Sequence, residues 1–137
     1  KLYTGSDGFS GEFSHIPVME NGILCQCGKR GCLETVASGT ALSRLAKEGI
    51  ARGEQTDLAR LTGNDARHIH YMSVVESALK GDAFSIDILS EVGSELGRGI
   101  AMLVQILNPE LIIFGGQMLK AGSFLTIPIE HSLNKYC

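Results

Sequence analysis

Apolar residues recur at helical spacing through most of this chain. Between Leu33 and about Glu48 they fall on one stripe, and Gly49 is expected to end that helix. A longer helix is predicted to run from Asp82, a favourable N-cap residue, to Asn108. Its apolar positions are Ile88, Leu89, Val92, Leu96, Ile100, Leu103, Val104 and Leu107. The hydrophobic pattern therefore predicts a helix-rich protein with one dominant helix.

Three glycines interrupt the interior of the long helix, at Gly93, Gly97 and Gly99. A glycine inside a helix costs about 1 kcal/mol relative to alanine. We therefore expect another element to pack very close to the helix at these positions.

A shorter helix is predicted over Ser73–Leu79, where Ser73 and Glu76 have the spacing of a capping box. Residues 50–70 are polar and mixed, which favours a loop with one short helix at Thr56–Leu61. These elements extend the helical region without changing its class.

Two stretches have the pattern of strands. Lys1–Thr4 is expected to be the end of a short strand. The glycines that follow it at three-residue intervals are Gly5, Gly8 and Gly11. Glu110–Phe114 is a short apolar run that predicts a buried strand leading into Gly115 and Gly116. Two glycines after a strand are typical of a phosphate or ribose site, and equally of a plain tight turn.

A last helix is predicted over Ile127–Tyr136, with Pro128 in its first turn. The order of elements gives an α/β class in which helices dominate. We expect residues 1–137 to form a single partial domain, because the chain starts at Lys1 rather than methionine. Its expected parts are a metal-binding loop at 15–34, a helical region at 35–108, and a late strand and helix at 110–137.

Composition excludes some partners. The formal net charge of −3 gives no basic footprint for nucleic acid. We expect no signal peptide, and the sequence has no apolar run long enough to span a membrane. We therefore expect a cytoplasmic protein with reduced thiols and no membrane partner.

Candidate chemistry is concentrated at His15, Cys25, Cys27 and Cys32. Zinc takes three thiolates and one imidazole, and four protein ligands are typical of a structural site. A disulfide fits less well, because Cys25 and Cys27 are too close for an unstrained bridge and a third thiol would remain. Three ordinary buried cysteines and an unrelated histidine are the alternative, and Cys137 is expected to be an ordinary residue.

Two carboxylates lie close to this loop in sequence. Glu12 precedes His15 by three residues, and Glu34 follows Cys32 by two. A fixed pair of carboxylates suits sugar hydroxyls, because a buried acceptor left unmatched costs about 1–3 kcal/mol. Alternatively, Glu34 only favours the dipole of the following helix and Glu12 is solvated.

The segments from Gly11 to His15 and from Cys25 to Glu34 resemble the signature of the ROK family. That family joins sugar-responsive repressors and sugar kinases. Ser77–Asp82 and Leu107–Gly116 are also similar to family segments, so the resemblance covers most of the chain. The chain departs from the family at Ser14, where members often have glycine.

The resemblance implies the helix-rich C-terminal lobe of an actin/hexokinase-like (RNase H-like) ATPase fold with a zinc knuckle. By the same resemblance, the zinc ligands are His15, Cys25, Cys27 and Cys32. The sugar-binding residues that it implies are Glu12, His15 and Glu34. In the kinases of the family, Gly115 and Gly116 lie on the nucleotide side.

The function expected first is a sugar-sensing transcriptional repressor that contacts DNA through an N-terminal domain absent from this chain. The alternative is a sugar kinase that uses ATP and Mg²⁺ on a hexose or N-acetylhexosamine. The chain contains neither the phosphate loop nor the catalytic base of such a kinase, so we expect no catalytic residue within it. A zinc-stabilised interaction module is the third possibility, and the family resemblance implies a homodimer or homotetramer.

Overall fold

The computed structural model of this chain describes residues 6, 12–61, 63, 67 and 69–137. The strand expected at Lys1–Thr4 and the glycines expected in the following loop lie outside the described residues. Within the described part, the elements are almost all helical. The α-helices are α1 (Leu33–Ala37), α2 (Gly39–Ala51), α3 (Leu58–Leu61), α4 (Tyr71–Leu79), α5 (Ala83–Leu107) and α6 (Ser123–Tyr136).

Short 3-10 helices span Phe13–His15 and Gln117–Ala121. Across the described ranges, β structure is limited to two isolated bridges, between Pro17 and Cys32 and between Leu24 and Arg30. The predicted helix-rich character is therefore confirmed. None of the helices described is both long and apolar enough to cross a membrane.

The start of α5 follows the sequence prediction. The Asp82 carboxylate caps the helix by accepting from the backbone N–H of Ser85 at 3.0 Å. It also accepts from the Thr56 hydroxyl at 2.6 Å, which ties the loop before α3 to α5. Burial alone would raise the pKa of Asp82, but the hydrogen bonds from Thr56 and Ser85 hold that pKa below its usual value.

The core lies where α2, α4, α5 and α6 meet. Its fully buried large side chains include Leu42, Leu58, Val74, Val75, Leu89, Val92 and Leu125. Two glycines of α5 face α6: a Cβ on Gly97 would lie 2.5 Å from the Ile129 carbonyl oxygen, and one on Gly93 would lie 3.0 Å from that of Leu125. The close approach expected at these glycines is confirmed.

The single helix predicted over Leu33–Glu48 is in fact two helices. At Ser38 the backbone is extended, and its hydroxyl accepts from the Ala41 N–H at 3.1 Å while donating to the Glu34 carbonyl at 2.6 Å. Ser38 thus ends α1 and caps α2. The stop predicted at Gly49 is also wrong, because Gly49 lies inside α2, where a Cβ would overlap the Phe84 ring.

Two helix starts also differ from prediction. The capping box at Ser73 is wrong: α4 begins at Tyr71, and the His70 Nδ1 accepts from the Met72 N–H at 3.2 Å. Pro128 is not in the first turn of the last helix, because α6 begins at Ser123. The absence of a side chain on Gly93 leaves room for Pro128 inside α6.

The buried strand predicted at Glu110–Phe114 is wrong for the described part of the chain. Leu111 and Ile113 are 74% and 84% exposed, whereas Ile112 between them packs against the core. Residues 111–115 pair with no strand among the described residues. An apolar strand needs a neighbouring strand to satisfy its backbone, and none of the described residues supplies one.

Candidate metal and ligand site

The loop that carries the predicted ligands is closed by its own backbone. The N–H groups of Val18 and Met19 both donate to the Gly31 carbonyl, at 2.8 and 3.1 Å, and the Gly31 N–H donates to the Ile23 carbonyl at 2.9 Å. Gly31 has a φ of +72°, and a Cβ there would overlap the Met19 carbonyl oxygen. Only glycine fits this position without strain.

A second turn brings the cysteines together. The Cys25 N–H donates to the Lys29 carbonyl at 2.7 Å, and the Gly28 N–H donates to the Cys25 carbonyl at 2.9 Å. The bridge between Pro17 and Cys32 then sets Cys32 beside the start of the loop, where its thiol donates to the His15 carbonyl at 3.4 Å. The four predicted ligands are therefore brought to one place.

The geometry of these side chains suits a metal ion. One ligating atom from each of His15, Cys25, Cys27 and Cys32 lies within 4.8 Å of all the others. The Sγ atoms of Cys27 and Cys32 are 3.5 Å apart, and the Cys25 Sγ is 3.4 Å from the His15 Nδ1. Tetrahedral zinc with bonds of about 2.3 Å separates its sulfurs by about 3.8 Å. Together, these residues could hold one such ion.

The thiols differ in their environment. A backbone hydrogen bond from Lys29 lowers the pKa of the exposed Cys27 to about 7. Burial raises the pKa of Cys32 to about 11, and this side chain is fully enclosed. A bound cation would lower the pKa of such a buried thiol, so Cys32 could serve as a thiolate ligand if the quartet held a metal ion.

The histidine ring presents its other nitrogen to two carboxylates. The His15 Nε2 lies 4.0 Å from the Glu12 Oε2 and 4.0 Å from the Glu34 Oε2. Glu12 is brought there by the 3-10 turn in which the His15 N–H donates to its carbonyl at 3.1 Å, and Glu34 by the first turn of α1. A cation bound at Nδ1 would leave Nε2 as an N–H donor flanked by two acceptors.

A cavity of about 130 Å³ opens beside His15 and Glu34. Its lining also includes Ile23, Leu24, Thr35, Thr40, Ala41 and Arg44. Sequence reasoning missed these residues. The signal that could have found them is Ile23-Leu24, two aliphatic residues directly after the Asn21-Gly22 turn, which remain 43% and 59% exposed.

Helix α5 supports the loop from behind. The Arg98 Nη2 donates to the Val18 carbonyl at 3.4 Å and to the Glu95 carboxylate at 2.7 Å. One residue further on, a Cβ on Gly99 would lie 2.7 Å from the Leu33 side chain. Nothing local in the sequence links Arg98 to a loop 80 residues earlier, so this contact was not predicted.

The glycines expected on a nucleotide side do not line this cavity. Gly115 and Gly116 are exposed, and Gly116 precedes the 3-10 helix Gln117–Ala121 with a φ of +107°. A nucleotide role for these two glycines stays a prediction.

Comparison with known proteins gives matches along the whole chain. A sequence profile described as the ROK family matches residues 1–137. The glucokinase of Thermotoga maritima is 37% identical over 139 residues, covering 98% of this chain and 42% of that protein. The DNA-binding transcriptional dual regulator NagC of Escherichia coli K12 is 31% identical over 134 residues, covering 98% of this chain and 32% of that protein.

A solved structure gives the fold. The chain matches a ROK family glucokinase from Streptomyces griseus in complex with glucose and AMPPNP, with a TM-score of 0.90 and 33% identity. The match covers 99% of this chain and 44% of that one. This chain therefore shares the actin/hexokinase-like fold of the ROK sugar kinases and spans less than half the length of the relatives that it matches.

Proposed function

Because this chain belongs to the ROK family, we propose that it is the zinc-containing, sugar-binding lobe of a sugar-responsive protein. The observation that carries the proposal is the position of the His15 ring. Its Nδ1 lies 3.4 Å from the Cys25 Sγ, the ring belongs to a cluster with three thiols, and its Nε2 lies 4.0 Å from each of two carboxylates, those of Glu12 and Glu34.

Zinc is the ion proposed for the quartet His15, Cys25, Cys27 and Cys32. Three thiolates and an imidazole form a donor set that binds zinc in preference to hard cations such as Mg²⁺ or Ca²⁺. The bound ion would supply folding energy and hold the loop rigid. Metal analysis should find about one zinc per chain in the native protein and none in Cys27→Ser. Cys137→Ser is the matched control and should retain the metal.

The proposed sugar contacts follow from the donors and acceptors on the His15 face. The carboxylates of Glu12 and Glu34 would accept hydrogen bonds from sugar hydroxyls, and the His15 Nε2 would donate one. The relatives support a sugar ligand, since a glucokinase and a structure with bound glucose are among them. Rigid placement of these groups would give selectivity, because a sugar with a hydroxyl missing would leave an acceptor unpaired.

Glu12→Gln and Glu34→Gln test these contacts in the full-length protein. Each variant should bind its sugar about tenfold more weakly or worse, because a hydrogen bond to a charged group contributes about 1.5–3 kcal/mol. Calorimetric titration with a panel of hexoses and N-acetylhexosamines measures the loss. Glu91→Gln, which changes an exposed carboxylate on α5, is the control. Unchanged sugar affinity in both site variants would remove these carboxylates from the proposal.

In the whole protein, sugar binding is coupled either to DNA binding or to phosphoryl transfer. The regulator at 31% identity supports the first output, and the glucokinase at 37% identity supports the second. In a regulator, bound sugar would shift the population of lobe arrangements and so reorient a DNA-binding domain. In a kinase, the same closure would align a sugar hydroxyl with the γ-phosphate of Mg²⁺-ATP.

One pair of assays on the full-length protein separates these outputs. A kinase would form sugar phosphate from Mg²⁺-ATP in the presence of its sugar. A regulator would form no sugar phosphate and would change its affinity for operator DNA when the sugar is added. If the protein binds no sugar, forms no sugar phosphate and does not change its affinity for DNA, the zinc-stabilised interaction module becomes the better account.

A further inference from the structure

We propose that Cys27 is an oxidation site, at which a hydroperoxide joins Cys27 to Cys32 in a disulfide and so releases the metal ion. The oxidant class is a small hydroperoxide, such as hydrogen peroxide, that reaches thiols at the protein surface. This inference rests on the proposed function, because the same thiols would hold the zinc ion and, through His15, order the sugar-binding face.

The thiols of the metal-binding loop differ in their access to solvent. Cys27 is exposed, whereas the exposed fractions of Cys25 and Cys32 are 6% and 0%. A cysteine that binds a metal does so as a thiolate. Oxidation of a cysteine follows its thiolate character and its exposure, and buried structural thiols are inert. Cys27 is therefore the member of the quartet that a dissolved peroxide would reach.

Cys32 is placed to complete a disulfide with Cys27. Their Sγ atoms are 3.5 Å apart. A disulfide brings two sulfurs to about 2.05 Å, so a small movement of each side chain suffices. The segment between the two cysteines begins at Gly28 and ends at Gly31, and both glycines have a positive φ. The backbone between the two thiols therefore already follows a tight turn.

Cys25 is the less suitable partner for Cys27. A single residue separates the two positions, which is too close for an unstrained bridge. The Cys25 Sγ lies 3.4 Å from the His15 Nδ1, and its backbone is held by two hydrogen bonds within the turn. The geometry therefore favours a bridge between Cys27 and Cys32.

The oxidation takes two steps. In the first, the Cys27 thiolate attacks one oxygen of hydrogen peroxide: an S–O bond forms, the O–O bond breaks, and the hydroxide that leaves takes a proton from solvent to become water. In the second, the Cys32 sulfur attacks the sulfenic sulfur of Cys27: the S–S bond forms, the S–O bond breaks, and the oxygen leaves as water with a second proton from solvent. The sulfurs lose two electrons in total, and the peroxide gains them.

A disulfide would remove two of the proposed zinc ligands. His15 and Cys25 alone do not complete a tetrahedral shell, so the ion would dissociate. The His15 ring would then lose the ligand that fixes its orientation, and with it the position of Nε2 at 4.0 Å from the carboxylates of Glu12 and Glu34. Sugar affinity should therefore fall at least about tenfold on oxidation, because charged hydrogen-bonding groups would no longer be held in place.

Peroxide treatment of the zinc-loaded, full-length protein tests the proposal without any substitution. Hydrogen peroxide should release about one zinc ion for each disulfide formed, measured with a colorimetric chelator. Dithiothreitol with added zinc should restore the metal and the sugar affinity, since a disulfide is reversible. Cys137→Ser is the matched control: Cys137 is exposed but lies outside the cluster, so this variant should release zinc at the rate of the native protein.

Mass spectrometry under non-reducing conditions identifies the bridge. Trypsin cleaves after Lys29 and Arg30, between the two cysteines of the proposed pair. A bridge to Cys32 should therefore join residues 31–44 to the peptide that ends at Lys29. Fragmentation between Cys25 and Cys27 then shows which of these two sulfurs is linked, and the expected one is that of Cys27.

The outcomes separate this inference from the proposed function. Zinc retained without a disulfide, at a peroxide concentration that oxidises free cysteine, overturns the inference and leaves the metal and sugar sites intact. A disulfide that includes Cys25, or an irreversible sulfinic acid on Cys27, also overturns it, because Cys27 and Cys32 would then not be the reacting pair. A response lost in Cys137→Ser does so too. Untreated protein without zinc overturns the proposed metal site and this inference together.

Discussion

Gly31→Ala should weaken the metal-binding loop strongly. Its φ of +72° is left-handed, which costs an alanine about 1–2 kcal/mol. The new Cβ would also overlap the Met19 carbonyl oxygen, so the segment that contains Val18 and Met19 must move. That movement would break the two hydrogen bonds that Val18 and Met19 donate to Gly31, each contributing about 0.5–1.5 kcal/mol. The total is about 2–5 kcal/mol.

Gly28→Ala is the matched control for this change. Gly28 lies in the same loop with a φ of +92°, but an added Cβ would meet nothing within 4 Å. Gly28→Ala should therefore lower the free energy of unfolding only by the backbone strain of a left-handed alanine, about 1–2 kcal/mol. The difference between the two variants isolates the steric contact with Met19.

Two measurements check this prediction. Chelator competition should give metal retention at least about fivefold weaker for Gly31→Ala than for Gly28→Ala, since about 1.4 kcal/mol corresponds to tenfold. Urea unfolding of the metal-loaded protein should rank the two variants in the same order. Equal losses in both variants would refute the reasoning, because the backbone approach between Gly31 and Met19 would then contribute nothing.

Three further predictions concern the helices. Gly97→Ala should lower the melting temperature, because its Cβ would lie 2.5 Å from a backbone carbonyl of α6 and overpacking costs about 1–3 kcal/mol. Gly115→Ala is the control and should not lower the melting temperature, because a Cβ there would meet nothing within 4 Å. Asp82 has a lower pKa in the folded than in the unfolded protein, so the stability that it contributes is present above its usual pKa near 3.8 and is lost as pH falls through the folded value. Urea unfolding of Asp82→Asn should therefore lose that acid dependence; an unchanged pH profile would contradict the assignment. Arg98→Ala should release metal to a chelator several-fold faster, because the Val18 carbonyl loses its tie to α5, while Arg52→Ala, which breaks the exposed pair with Glu54, should not.

Signals held in a few neighbouring residues were readable from the sequence. The cap at Asp82 and the helix end at Asn108, which adopts φ 44° and ψ 56°, depend on local side-chain and backbone chemistry. The spacing of His15 and the cysteines likewise placed a metal-site prediction on residues that do converge. The glycines of α5 indicated close packing, because a glycine inside a helix lowers its stability unless a neighbouring element needs the space.

Features that depend on distant residues were not readable. The apolar stripe continues through both α1 and α2, so periodicity could not reveal the break at Ser38. Gly49 resembles a helix stop unless the Phe84 ring is known to lie against it. The cavity combines side chains from the loop and from α2, and only their packing reveals that Ile23 and Arg44 line one space.

Helix α5 is closely packed on two sides, against Leu33 and against α6. Leu33, the first residue of α1, packs against Gly99, and the backbone of α6 packs against Gly93 and Gly97. Because close-packed interiors scarcely compress, a push on Leu33 cannot be absorbed within the helix. A displacement of Leu33 toward Gly99 would therefore press α5 against α6, so the packing of the metal-binding loop and that of α6 are linked through one helix.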